Sequence, residues 1–129
     1  MIGKVIKTLL IANTDLTTLV PAASIYPYVM NEDTPLPAIV YTIDGLSADY
    51  SKDGWVGDEI SFSVISMSDN YDTLQKIITE VRSALEWQRG VFDAMIIEWI
   101  YVSGMAEGYN ITESVFMNKL SFSVVIKSY

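Results

Sequence analysis

The chain has 129 residues, half of them hydrophobic, with no cysteine and no histidine, and sixteen acidic residues against eight basic ones leave a formal charge of −8. That length suits one domain, residues 1–129, with a sizeable core, and the apolar content excludes a disordered chain. The two missing residue types exclude disulfides, thiolate metal sites and the commonest general base and zinc ligand, and the acidic excess argues against attraction to nucleic-acid phosphates.

From the N-terminus, Ile2, Val5, Ile6, Leu9 and Leu10 recur at three- and four-residue steps, with Lys4 and Lys7 on the other side, which predicts an amphipathic helix ending near Asn13. Asp15 is placed to cap a short helical turn carrying Leu16, Leu19 and Val20, which Pro21 closes. "SIYPYV" reads as a short edge strand broken at Pro27, and "NEDTPLP" as a loop into the next strand. No apolar run reaches the roughly 18 to 20 residues of a membrane span, and the N-terminus lacks the unbroken apolar stretch of a signal peptide, so the expected compartment is the cytoplasm of the producing cell. The sequon at Asn110 is then not expected to be glycosylated.

"AIVYTIDG" and "DEISFSVISM" read as two strands, the second alternating Ile60, Phe62 and Val64 with Ser61 and Ser63. The strongest helix signal is "SDNYDTLQKIITEVRSALEWQRG", with Ser68 or Asp69 as N-cap, Arg89 and Gly90 at its end, and an apolar face of Tyr71, Leu74, Ile77, Ile78, Val81 and Leu85. After it, "AMIIEWIYVS" reads as a strand, "GMAEGYN" as a turn and "FMNKLSFSVVIKSY" as a last strand. The element order lacks regular βαβ alternation, so the expected class is α+β, a mostly antiparallel β-sheet with two helices packed on one face. The opposite face, carrying Ser61, Ser63, Ser121 and Ser123, is expected to be solvated or set against another subunit.

Between the first two long strands lies "DYSKDGWVGDEI", Asp49 to Ile60, which nearly matches a calcium-binding EF-hand loop. Asp49, Ser51, Asp53 and Gly54 stand at ligand or turn positions, but the closing position is Ile60 and Glu59 falls one residue early. Flanking strands in place of helices make the stretch the tip of a β-hairpin, with no metal expected. The region is strongly acidic: Glu32, Asp33, Asp44, Asp49, Asp53, Asp58 and Glu59 are opposed only by Lys52. With Tyr50 and Trp55 among them, Asp49, Tyr50, Lys52, Asp53, Trp55, Asp58 and Glu59 are the candidate interface residues, since Tyr and Trp are enriched in interface cores.

Catalytic constellations are absent from the pattern. Without His or Cys no ordinary triad can form, the lysines near Ser121 and Ser123 follow strand alternation, and no glycine-rich phosphate cradle joins a strand to a helix. No cofactor and no catalytic residue is expected. Two other readings stay open on the residues: a small-molecule-binding α+β module with a pocket lined by Trp87, Trp99 or Tyr101, and a carboxylate metal hydrolase built on Asp44, Asp49, Asp53 and Glu59.

The order of "DLTTLVPAASIYP", "PLPAIVYTIDG", "ISFSVISMSDNYDTLQKIITEVRSAL" and "LSFSVVIKSY" resembles the tail-completion, or tail-terminator, family of long-tailed bacteriophages and prophages over nearly the whole chain. The stretch "GVFDAMIIEWIYVSGMAEGYNITESVF" departs most from it. The resemblance implies a structural minor tail protein and no enzyme, with another phage neck or baseplate adaptor as the alternative. It implies a homo-oligomeric ring, commonly of six subunits, that stops polymerisation of the tail tube protein and meets the head connector protein in virion assembly. DNA would pass through such a ring without specific binding, no membrane is involved, and the location is the virion tail after assembly in the host cytoplasm. The acidic Asp49 to Glu59 stretch is then expected to face the pore or the neighbouring tube subunit, where carboxylates repel DNA phosphates.

Overall fold

The computed structural model describes residues 2–29, 35–92 and 94–128, in the order α1 (Ile2–Ala12), α2 (Thr14–Leu19), β1 (Ile25–Pro27), β2 (Ala38–Ser51), β3 (Gly54–Ser68), α3 (Tyr71–Leu85), β4 (Gly90–Phe92), β5 (Met95–Asn110) and β6 (Val115–Ser128). A single 3-10 turn, Ala22–Ser24, leads into β1. The strands make one mixed sheet of order β1-β2-β3-β6-β5-β4. Four of its pairings are antiparallel, and β1 joins β2 in parallel. Of the expected loop between β1 and β2, Asn31–Thr34 lie outside the described residues, as do Glu32 and Asp33 of the acidic cluster.

The helices form for the reasons their periodicity gives, but their caps differ from expectation. Asn13, not Asp15, caps α2: its side-chain oxygen accepts the Leu16 N–H at 3.0 Å, while Asp15 sits in the first turn. Asn13 also donates to the Glu80 carbonyl at 3.2 Å, so the cap ties α2 to α3. Asn70, not Ser68 or Asp69, caps α3, accepting from Thr73 N–H at 3.0 Å, because Ser68 still belongs to β3 and uses its hydroxyl to take the Asn70 N–H. Nor does α3 run to Arg89 and Gly90. Glu86 is its C-cap, Trp87 takes the left-handed conformation, and Gly90 opens β4, a short strand not anticipated from the sequence.

One face of the sheet and the helices enclose the main core, in which Ile6 and Leu10 of α1, Leu16 of α2, Ile77 and Val81 of α3, and Phe62, Val64, Phe122 and Val124 of the sheet are buried. The three helices exceed the two expected by the short α2, which packs on α3. Phe62 and Phe122 face each other across β3 and β6 with ring centroids 5.2 Å apart and nearly parallel planes. Such a stack adds about 0.5–1.5 kcal/mol beyond its area. A smaller cluster of Ala38, Val40, Met67 and Val115 lies on the other face. The serine face is not simply open there: Ser63 and Ser123 are buried, Ser61 is exposed, and the Ser63 hydroxyl donates to Asp44.

Both long hairpins outrun the expected strands. "GMAEGYN" is strand, not turn: Gly104 to Asn110 continue β5 and pair with Ser121 to Val115 of β6. The partner decides this, because the long alternating β6 supplies hydrogen bonds to whatever lies beside it, and a glycine is tolerated at the irregularity between Val102 and Gly104. Pairing of β3 with β6 runs from Asp58↔Ile126 at one end to Ser68↔Phe116 at the other. The β2–β3 turn at Lys52 and Asp53 therefore lies beyond one end of the sheet, and the β5–β6 turn at residues 111–114 beyond the other.

Candidate functional site

The stretch Asp49 to Glu59 is the outer arm of the β2–β3 hairpin. Ser51 pairs with Gly54 around a two-residue turn, and Gly54 has φ +117, a conformation that L side chains rarely adopt. Tyr50 faces Trp55, and both are exposed, as are Asp49, Lys52, Asp53 and Glu59. Asp58 is the exception, at 9% exposure.

An irregularity builds this arrangement. Asp49 pairs with Gly57 and Tyr50 with Trp55, so Val56 is an extra residue, a β-bulge. In a regular strand residues three apart point to opposite faces; the added residue brings Trp55 and Asp58 to one side, where the indole N–H donates to Asp58 Oδ1 at 2.9 Å. A second bulge sets Asp44 between Ile43 and Gly45, and its carboxylate accepts from Thr42 at 2.9 Å and from Ser63. The four carboxylates considered as a metal cradle thus separate: Asp44 turns to Ser63 and Thr42, Glu59 accepts from the Tyr101 hydroxyl, and Asp49 and Asp53 stand on the arm. Among the described residues no three of His, Cys, Asp and Glu converge.

The Glu59 bond holds the Tyr101 phenol above its ordinary range, because ionising the phenol would set two negative charges side by side. Tyr101 belongs to a second feature. Together with Trp87, Trp99, Val102, Val125, Glu59 and Glu86 it lines a groove of about 670 Å³. Trp87, Trp99 and Tyr101, expected to share a deep pocket if the chain held a small molecule, do come together, but in an open groove along β5. Trp87 stands 66% exposed at φ +65, its N–H donating to the Ile100 carbonyl at 2.7 Å, which fastens the end of α3 to the sheet.

The β5–β6 arm was hidden by its glycines. It exposes Met105, Tyr109 and Ile111. Glu107 anchors it, accepting from Tyr71 at 3.4 Å and Gln75 at 2.9 Å on α3 and from Asn118 at 3.2 Å on β6. Tyr71, Phe116 and Tyr109 pack beside this carboxylate, with Phe116 5.4 Å from one ring and 4.6 Å from the other. Asn118 is fully buried and its Oδ1 has no partner, the one such side-chain atom among the described residues. The available signal was Tyr71 with Gln75 four residues on, one helix face ending in polar atoms beside an apolar stripe.

The described residues thus present two hairpin arms and an open aromatic groove, with no converging nucleophile, base and cradle among them. No curated protein matches the chain. Among solved structures, a chain from the virion of a native gene transfer agent particle superposes with a TM-score of 0.74 at 16% identity, over 95% of this chain and 92% of that one, a likeness of fold. The model of the family described as tail completion protein gp17 matches residues 4–105, from α1 through most of β5. The chain therefore belongs to the tail completion protein gp17 family.

Proposed function

We propose that this chain, a phage tail structural protein by its family, caps the head-proximal end of the tail tube as a ring, ends tube polymerisation and joins the head connector. The family match over residues 4–105 carries the reading. It is supported by the two unlike arms, which leave opposite ends of one sheet and give each subunit a different surface toward tube and connector. Six copies is the number the resemblance implies. The action is structural, without cofactor or catalysis, and its place is the virion tail.

In this reading the tip of the β2–β3 arm, with Asp49, Tyr50, Lys52, Asp53 and Trp55, faces the lumen or the first tube subunit. Carboxylates there keep the passing duplex from adhering. Two measurements test it. Added to polymerising tube protein, the chain is expected to shorten tubes and appear at one end in electron micrographs; tubes of unchanged length would refute capping. The triple variant Asp49→Asn, Asp53→Asn, Asp58→Asn keeps an oxygen acceptor for the Trp55 indole and so isolates the charge. It is expected to lower infectivity while leaving the melting temperature unchanged, and wild-type infectivity would refute the role of the charge.

A further inference from the structure

The groove beside β5 holds a residue that the fold does not need. Trp87 occupies the position after a helix C-cap where glycine is the usual residue, at φ +65, a region that disfavours large L side chains. Its backbone bond to Ile100 would be made equally by glycine, and its indole, 66% exposed, belongs to neither core cluster. Backbone strain that displays an indole at the surface points to a contact outside the subunit. Trp99, 42% exposed, and Tyr101, held by Glu59, complete an aromatic wall of the kind that anchors interfaces.

Charge indicates the occupant. The groove lining contains two carboxylates, Glu59 and Glu86, and neither lysine nor arginine. Glu86 is neutralised by Arg82 at 2.8 Å, whereas Glu59 has no basic partner among the described residues. Through Glu59 and Val125 the groove continues into a hollow that adds Asp49, Asp58 and Lys127, the lysine being already paired with Glu98 at 3.3 Å. The complementary surface is on the same chain. Lys4, Lys7, Thr8 and Ile11, at steps of three and four, form the outward stripe of α1, which has two lysines and no acid. Neither lysine is ion-paired among the described residues. The stripe is about 10 Å long.

The two surfaces lie on opposite flanks, α1 against β2 and the groove against β5, the second and fifth strands of the sheet. We propose that α1 of one copy seats in the Trp87–Trp99 groove of the next, an inference that rests on the ring reading and names its subunit contact. The lysine ammonium groups meet the indole faces and Glu59, and Ile11 packs on the aromatic wall. Since the surfaces differ, the contact is head-to-tail and can propagate around a ring.

The natural absence of cysteine allows a direct test. Full-length Thr8→Cys and Arg89→Cys proteins are mixed on tail tubes and treated with a short bismaleimide. Cross-linking between the two variants, and none within either alone, is expected. Assembled oligomers without that cross-link would overturn the contact while sparing the ring; absence of any oligomer, with or without tubes, would overturn both. Trp87→Gly is expected to retain or raise the melting temperature of dilute, monomeric protein and to weaken subunit association about tenfold or more, the scale of a hot-spot aromatic. A lowered melting temperature of the monomer would make Trp87 structural, and unchanged association would remove it from the interface; either outcome overturns the proposal. Normal association with lost tube capping would assign the groove to a different protein, and would also overturn it.

Discussion

At Gly57, where β3 passes the end of β6, an added Cβ would stand 2.6 Å from the Ile126 carbonyl oxygen. The backbone, not a flexible side chain, would have to move. Gly57→Ala is therefore expected to destabilise the fold by about 1–3 kcal/mol, the range for forcing extra volume into a packed site. A thermal melt checks it, and Gly45→Ala, where an added Cβ meets nothing within 4 Å, is the control. The same close approach matters to the candidate interface residues, because Gly57 follows the Val56 bulge that turns Trp55 toward Asp58. Gly57 is the point at which one strand is allowed to touch another.

Among elements, the β2–β3 arm separates most clearly from the core. From Asp44 to Val56 every residue is exposed except the half-buried Ala48, whereas Ala38 to Tyr41 of the same strand are buried. Replacing Tyr50–Val56 by Asn-Gly, a favoured two-residue hairpin turn, removes surface and leaves the core intact. The melting temperature is expected to stay within about 3 °C of wild type, as for changes away from core, caps and strained sites. Tube capping is expected to be lost. A shortened protein that still capped tubes would show that the arm has no part in assembly. The β5–β6 arm differs, since Glu107 ties it to Tyr71 and Gln75 of α3.

For the whole molecule, the exposed apolar side chains are informative together. Tyr50, Trp87, Val91, Met105 and Ile111 are each more than 60% exposed, and they lie on both arms and in the segment that follows α3. Trp87 with Trp99 along β5 groups such side chains into a patch, the form of apolar exposure that marks an interaction surface. If copies associate through it, native protein is drawn into oligomer and the unfolded chain is not. The melting temperature is then expected to rise with protein concentration, by the linkage between binding and stability. A midpoint independent of concentration over a hundredfold range, with tubes absent, would mean that subunits meet only on the tube.

The element order apart from β4, the amphipathic faces of α1 and α3 and the alternation of Ile60, Phe62 and Val64 against serines were legible in the sequence, because each rests on local periodicity. So were the hairpin at Asp49 to Glu59 and the family resemblance, which depends on that order. Strand ends and caps were not. Whether Gly104 to Asn110 form a turn or a strand depends on β6, many residues away in sequence, and Asn70 outcompetes Ser68 as cap only because β3 claims the serine. The groove was half legible: its aromatics could be named, but only the folded chain brings Trp87 from the end of α3 beside Trp99 and Glu59. Local patterns determine which segments become helix or strand; contacts between distant segments decide where each ends, which charges are buried, and which aromatics remain exposed for a partner.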